Sequence, residues 1–112
     1  MTLKSPKSKG RKLENDIVKW FGEMGLNARR QPLSGQLSDF PHDVNVNLPD
    51  GGRLIVEAKK RAKLPATFDR WLGKAGVLIM ASNFARPADW RVYMSGESFE
   101  HLIRRAYPKE DR

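Results

Sequence analysis

Two alternating stretches joined by a glycine turn constrain the fold of this chain more than any other feature. Residues 43–48 read "DVNVNL" and residues 53–59 read "RLIVEAK", and between them stands the turn signal Pro49-Asp50-Gly51-Gly52. Alternation of apolar and polar residues is typical of a strand with one covered face. The pattern therefore predicts a β-hairpin.

The apolar residues of the two strands determine how the hairpin pairs. Both sets of valine and leucine side chains must lie on the same face, because a shift by one residue would turn one set towards solvent. This requires Val44 opposite Val56 and Val46 opposite Leu54, with an odd-length connection that the two glycines allow.

The same register brings two carboxylates together at the polar end of the sheet. Asp43 lies opposite Glu57, and directly opposed residues have Cβ atoms about 4.5–5.5 Å apart. Like charges this close repel unless a cation lies between them, and the chain has no cysteine, so we expect a hard cation held by oxygen. Mg²⁺ fits best, since it takes one or two carboxylates and activates water for attack on a phosphodiester.

Lys59 points to the same face as Glu57, where it is placed to orient a water molecule or to offset charge on a phosphate. The alternative is an ordinary Glu57–Lys59 ion pair on an exposed face, as in many Glu-x-Lys sequences.

A helix is predicted from Arg11 to Gly25, where apolar residues recur at helical spacing. At about 100° per residue, Glu14 lies within the apolar arc, whereas the other acidic residues lie on the opposite face. A carboxylate on a core-facing arc needs a partner. The alternative is a first-turn glutamate that favours the helix dipole and bends to solvent.

The remaining pattern predicts an α/β fold of order α-β-β-β-α-β-β-α, with helices packed on a mixed β-sheet. We expect a flexible basic arm over residues 1–10 and a single domain over residues 11–112. Residues 76–81, "GVLIMA", predict a strand covered on both faces. The other expected elements are strands at 27–31 and 90–94, a loop at 32–41, and helices at 65–74 and 97–107.

Charge points to a polyanionic partner. The chain has 21 Lys and Arg against 13 Asp and Glu, a net charge of +8. Such a surplus favours nucleic acid, although a merely solvated basic surface is the alternative. No apolar run is long enough to cross a membrane and no signal-peptide pattern is present, so we expect a cytoplasmic protein.

The helical Glu14, Asp43 after a proline, the glycine turn and Glu57-Ala58-Lys59 together resemble the PD-(D/E)xK nuclease superfamily, most of all the archaeal-type and phage Holliday junction resolvases. The likeness covers residues 10–63, with "GRKLENDIVKWFGEMGLNARR", Ser34-Gly35 and "PHDV" followed by "VEAKK". It implies a restriction-endonuclease-like mixed sheet flanked by helices. It also implies a function in DNA recombination and repair, in a host cytoplasm if the protein is phage-encoded.

The resemblance assigns roles to particular residues. Glu14, Asp43 and Glu57 would be metal ligands or supporting carboxylates for Mg²⁺, with Mn²⁺ able to substitute. Lys59 would be the catalytic lysine, and Ser34 a loop serine near the active site. Two departures are His42, which separates Pro41 from Asp43, and the absence of the glutamine that often follows the lysine. His42 is a candidate for proton transfer or binding, or is simply solvated.

Basic residues flank the predicted site in sequence, and phosphate contacts of this kind position DNA without reading bases. The candidates are Arg11, Lys12, Arg29, Arg30, Lys60, Arg61 and Lys63.

A four-way junction has two equivalent strands to cut, so we expect a two-fold homodimer. Its interface is predicted around Val77 to Met80 with Trp71 and Phe84, unless these residues only complete the monomer core.

The sequence thus predicts a magnesium-dependent endonuclease that resolves Holliday junctions. One alternative is a phage or mobile-element nuclease that nicks or trims linear or damaged DNA. Another is a DNA-binding module without catalysis, against which the complete set of Glu14, Asp43, Glu57 and Lys59 argues.

Overall fold

The computed structural model describes residues 6–31 and 43–109. Its described part forms two compact units, one running up to Arg61 and including the chain from Tyr107 onward, the other Ala62–Ala106. The elements are α1 Pro6–Glu23, β1 Asn27–Arg30, β2 Val44–Asn47, β3 Arg53–Val56, α2 Ala66–Leu72, β4 Leu78–Met80, a 3₁₀ turn Pro87–Asp89, β5 Arg91–Tyr93 and α3 Gly96–Ala106. The predicted mixture of helices and strands and their order are confirmed, while the single domain stays a prediction.

Helix α1 begins at Pro6 rather than at Arg11. The prediction of a flexible arm is therefore wrong for residues 6–10, because proline is pre-set for a first helical turn and the lysines that follow favour the helix. Residues 1–5 of that arm lie outside the described residues.

The end of α1 follows the sequence prediction. Gly25 has a φ of 84°, its N–H bonds to the carbonyl of Gly22, and the N–H of Leu26 bonds to the carbonyl of Phe21 at 3.0 Å. This is a Schellman motif, in which a glycine in the left-handed region ends the helix and the flanking apolar residues meet. Phe21 and Leu26 are both buried.

The first unit has a three-stranded antiparallel sheet of order β1-β2-β3. Val44 pairs with Val56 and Val46 with Leu54, so the predicted register is confirmed. Helix α1 packs against β1 and β2. The core beneath the helix consists of Phe21, Met24, Leu26, Val44 and Val46.

The hairpin turn confirms the odd-length connection. The N–H of Leu48 bonds to the carbonyl of Gly52, and the N–H of Gly51 bonds back to the carbonyl of Leu48. Gly51 has a φ of 91°, a backbone angle that residues with a side chain rarely adopt. Asp50 accepts the N–H of Gly52 at 2.8 Å and so closes the turn.

In the second unit, β4 and β5 form a two-stranded antiparallel sheet, and α2 packs against β4. The predicted mixed sheet is not found among the described residues, whose strands pair only antiparallel and in two sheets. Consecutive strands can pair antiparallel through a loop alone, whereas parallel pairs need a crossover connection, usually through a helix. The prediction that β4 is covered on both faces is also wrong, because Ile79 and its partner Val92 are 54% and 57% exposed. An apolar run alone does not distinguish one covered face from two.

Candidate active site

The sheet of the first unit has two unlike faces. Val44 and Val46 lie beneath α1, and Ala28 and Arg30 pair with them on the same side. The alternate side chains form the opposite surface, called here the open face. It consists of Asn27, Arg29, Asn45, Asn47, Arg53 and Ile55.

Asp43 and Glu57 lie just outside the strands at one end of the sheet, where the alternation of side chains would place them on the open face. They follow the last strand pair, Val44 with Val56, and the carbonyl of Asp43 accepts the N–H of Gln31 at 2.9 Å. Oδ2 of Asp43 accepts the N–H of Ala58 at 2.7 Å. The Asp43 carboxylate is thus anchored to the backbone between Glu57 and Lys59, close to both predicted site residues of the neighbouring segment.

Lys59 lies beside Glu57. Its Nζ is 3.6 Å from Oε1 of Glu57, and the two side chains are 67% and 48% exposed. An ion pair this exposed contributes little to stability, typically below about 1 kcal/mol. The ordinary ion pair weighed against catalysis is therefore present, and it holds the lysine next to the carboxylates.

Glu14 has the partner that its position required. Nε of Arg30 donates to Oε1 of Glu14 at 2.8 Å, with the glutamate side chain only 13% exposed. The alternative of a first-turn glutamate bending to solvent is wrong, because α1 begins at Pro6 and Glu14 lies well inside it. Arg30 points under the helix to reach it, so a predicted phosphate contact is engaged in an internal ion pair.

The predicted carboxylates divide into two groups. Among the described residues, no set of three or more His, Asp or Glu is arranged to hold a metal ion. Glu14 is bonded to Arg30, whereas Asp43 and Glu57 share one end of the sheet. A pair of carboxylates completed by water still suits Mg²⁺, which takes one or two protein carboxylates. Ser34 and His42 lie outside the described residues.

The predicted phosphate contacts are scattered over the surface. Lys12 is paired with Asp16 at 2.9 Å, and the hydrogen bond it donates lowers the pKa of that carboxyl. Arg61 donates to the carbonyl of Lys60. Lys63 is exposed in the second unit. Besides Lys12 and Arg61, the candidates that are exposed in the first unit are Arg11, Arg29 and Lys60.

Sequence reasoning missed most of the open face. Arg53 and the three asparagines were not candidates, although they occupy the polar positions of the same alternating strands that predicted the hairpin. The signal was the choice of amide and guanidinium side chains at these positions. Such groups are the ones that donate hydrogen bonds to anionic oxygens.

Comparison of the chain with protein-family models, with curated proteins and with solved structures gives no match. The case for a function therefore comes from the site geometry. None of the helices in the part of the chain that the structure describes has the length and hydrophobicity that crossing a bilayer requires.

Proposed function

We propose that the protein is a metal-dependent DNA endonuclease of the PD-(D/E)xK type, with Asp43, Glu57 and Lys59 at its active site. The observation that supports this is the bond from the Ala58 N–H to Asp43, which brings one carboxylate to the segment that carries the other carboxylate and the lysine. The net charge of +8 supports a polyanionic substrate.

In this proposal Asp43 and Glu57 hold a divalent cation. A bound Mg²⁺ would polarise the phosphodiester and make a water molecule more acidic. The Ala58 N–H orients the Asp43 carboxylate and anchors it to the backbone of the neighbouring segment. The Lys59 ammonium, already within 3.6 Å of Glu57, offsets the negative charge that develops on the phosphate oxygens. Glu14 supports the site by holding Arg30 on the helix-facing side of the sheet, opposite the open face.

The test is cleavage of labelled four-way junction, flap and linear duplex DNA. We expect cleavage with Mg²⁺ or Mn²⁺, binding without cleavage with Ca²⁺, and no cleavage in excess EDTA. Full activity in EDTA would overturn the metal mechanism. Preference for the junction would support a Holliday junction resolvase, and preference for linear DNA would support a nicking or trimming nuclease.

Substitutions test the residue roles. Asp43→Asn, Glu57→Gln and Lys59→Ala should each reduce cleavage by at least about 100-fold, because each removes a charge that acts at the reacting phosphate. Matched exposed controls in the second unit are Asp89→Asn, Glu97→Gln and Lys74→Ala. Controls as damaging as the site variants would refute the assignment.

A second candidate function is a DNA-binding module without catalysis. It is favoured by the ion pairs that engage Glu14 with Arg30 and Glu57 with Lys59. This candidate predicts that the protein binds DNA but leaves every substrate intact in Mg²⁺ and in Mn²⁺, so the same assay separates the two.

A further inference from the structure

The open face of the first sheet has an unusual composition for an uncovered sheet surface. Two arginines, three asparagines and one isoleucine occupy it, and none of the six carries a negative charge. Strand pairing arranges them as two cross-strand rows, Asn27 with Asn47 and Arg53, then Arg29 with Asn45 and Ile55. Each row therefore combines one guanidinium with at least one amide.

These side chains are accessible to a large partner. Arg29, Asn27, Asn47 and Arg53 are exposed, Asn45 is partly exposed at the centre, and Ile55 is 43% exposed. Guanidinium and amide groups together offer a dense set of hydrogen-bond donors. An anionic, oxygen-rich surface complements such a set better than an apolar one.

The open face leads directly to the candidate active site. Arg53 and Ile55 lie on this face, and Glu57, the first residue after the end of β3 at Val56, continues their alternation. At about 3.3 Å per residue, Arg53 lies roughly 13 Å from Glu57. That length corresponds to about four base-pair steps along the axis of duplex DNA.

We infer that the open face is a binding track for the DNA backbone, which it guides to the Asp43–Glu57 end of the sheet. Arg29 and Arg53 contact phosphates, the asparagine amides donate to phosphate or sugar oxygens, and Ile55 packs against a sugar. This inference rests on the proposed function for its choice of DNA as the partner. It concerns binding alone, so it is tested separately from cleavage.

The experiment measures binding of the full chain to a labelled four-way junction in EDTA, where no cleavage is expected. Arg29→Gln and Arg53→Gln should each weaken binding about eightfold at 0.1 M salt, and each should make the slope of log affinity against log salt shallower by about 0.9. The control is Lys19→Gln, which removes one exposed cation from α1 of the same unit. It should change the affinity less than about twofold and leave the slope unchanged.

A second, isosteric pair tests the centre of the face. Asn45→Asp places a negative charge between the two arginines, and Asn15→Asp places the same charge on the exposed surface of α1. We expect about a tenfold or larger loss of affinity for Asn45→Asp and little change for Asn15→Asp. Thermal unfolding of each variant checks that the sheet is intact.

The outcomes separate this inference from the proposed function. Equal effects of Arg29→Gln, Arg53→Gln and Lys19→Gln would overturn the track even if the protein cleaves DNA. Loss of binding only in the open-face variants would establish the track even if no cleavage is found. A wild-type protein that binds no DNA at micromolar concentration would overturn both.

Discussion

The Glu14–Arg30 pair shows that burial can give a charged residue a structural role. A carboxylate inside the apolar arc of α1 predicts a partner, and the partner is found on β1. Its identity could not be predicted, since Arg30 is distant in sequence and only the packing of α1 on the sheet brings the two side chains together. The resemblance predicted metal binding by Glu14, and the flanking basic pattern predicted phosphate binding by Arg30, whereas the structure pairs the two side chains with each other.

A comparison of two ion pairs tests whether the Glu14–Arg30 pair stabilises the fold. Glu14→Gln should lower the free energy of unfolding by about 1–3 kcal/mol, because the partly buried guanidinium of Arg30 then loses its charged partner. Glu100→Gln is the matched control, since its pair with Arg104 has the same 2.8 Å distance but lies on the surface of α3. That change should cost below about 0.5 kcal/mol.

Urea unfolding of both variants gives the measurement. A Glu14→Gln protein with unchanged stability but no cleavage in Mg²⁺ would contradict the structural role. It would support the prediction that Glu14 is a metal ligand.

At the scale of elements, the hairpin is held by a backbone conformation as much as by its strands. Gly51 has a φ of 91°, so Gly51→Ala should destabilise the protein by about 1–2 kcal/mol. Gly22, near the end of α1, has open space where a Cβ would stand. Gly22→Ala should therefore raise the stability by about 0.5 kcal/mol. Thermal unfolding of the two variants should shift in opposite directions, and shifts of the same sign would refute this account of the turn.

Two tyrosines should make the free energy of unfolding depend on pH in the alkaline range. The hydrogen bond that Tyr93 donates to Asp69 raises its pKa, and Tyr107 has its pKa raised by loss of water contact and by its bond to Asp50. A raised pKa in the folded state means that the stabilisation is complete below the unfolded value of about 10 and is lost as the pH rises through the folded value.

Tyr93→Phe should therefore be less stable than the wild type at pH 8, and the difference should shrink as the pH rises above about 10. Tyr107→Phe should behave likewise through its own bond to the hairpin turn. Unfolding midpoints measured from pH 8 to 12 check this, and a gap between wild type and Tyr93→Phe that is constant with pH would contradict it.

The elements differ in how far the sequence predicts them, for physical reasons. The β2–β3 register was predictable because a period of two and a glycine turn leave one pairing that covers the valines. The start of α1 was not, because Pro6 is compatible with either a helical first turn or a loop. The run around Ile79 was misread as fully covered, since an apolar segment carries no information on which of its faces has a neighbour. For the site, the confirmed register places Asp43 and Glu57 at the same end of the sheet, but the sequence did not predict the Ala58 N–H that anchors Asp43.

For the whole molecule, the exposed large apolar side chains of the second unit bear on its assembly. Trp71 is 60% exposed, Ile79 is 54% exposed, and Phe84 is fully exposed. Phe84 also has a φ of 66°, an unfavourable backbone conformation for an aromatic residue. Strain of this kind at an exposed apolar residue is typical of interaction sites. We propose that this surface carries the two-fold homodimer that a junction-cutting enzyme requires.

Light scattering tests the homodimer. At micromolar concentration the wild type should have about twice the chain mass of 12.8 kDa. Ile79→Lys should return it to the mass of one chain, because a charge in an apolar interface is left without a partner. Ile55→Lys is the matched control, since Ile55 is also an exposed strand isoleucine but lies on the open face of the first unit. Its mass should stay that of the dimer. A wild type that is monomeric throughout would contradict the homodimer and favour a nicking enzyme over a resolvase, because one chain would then carry a single site to two equivalent strands.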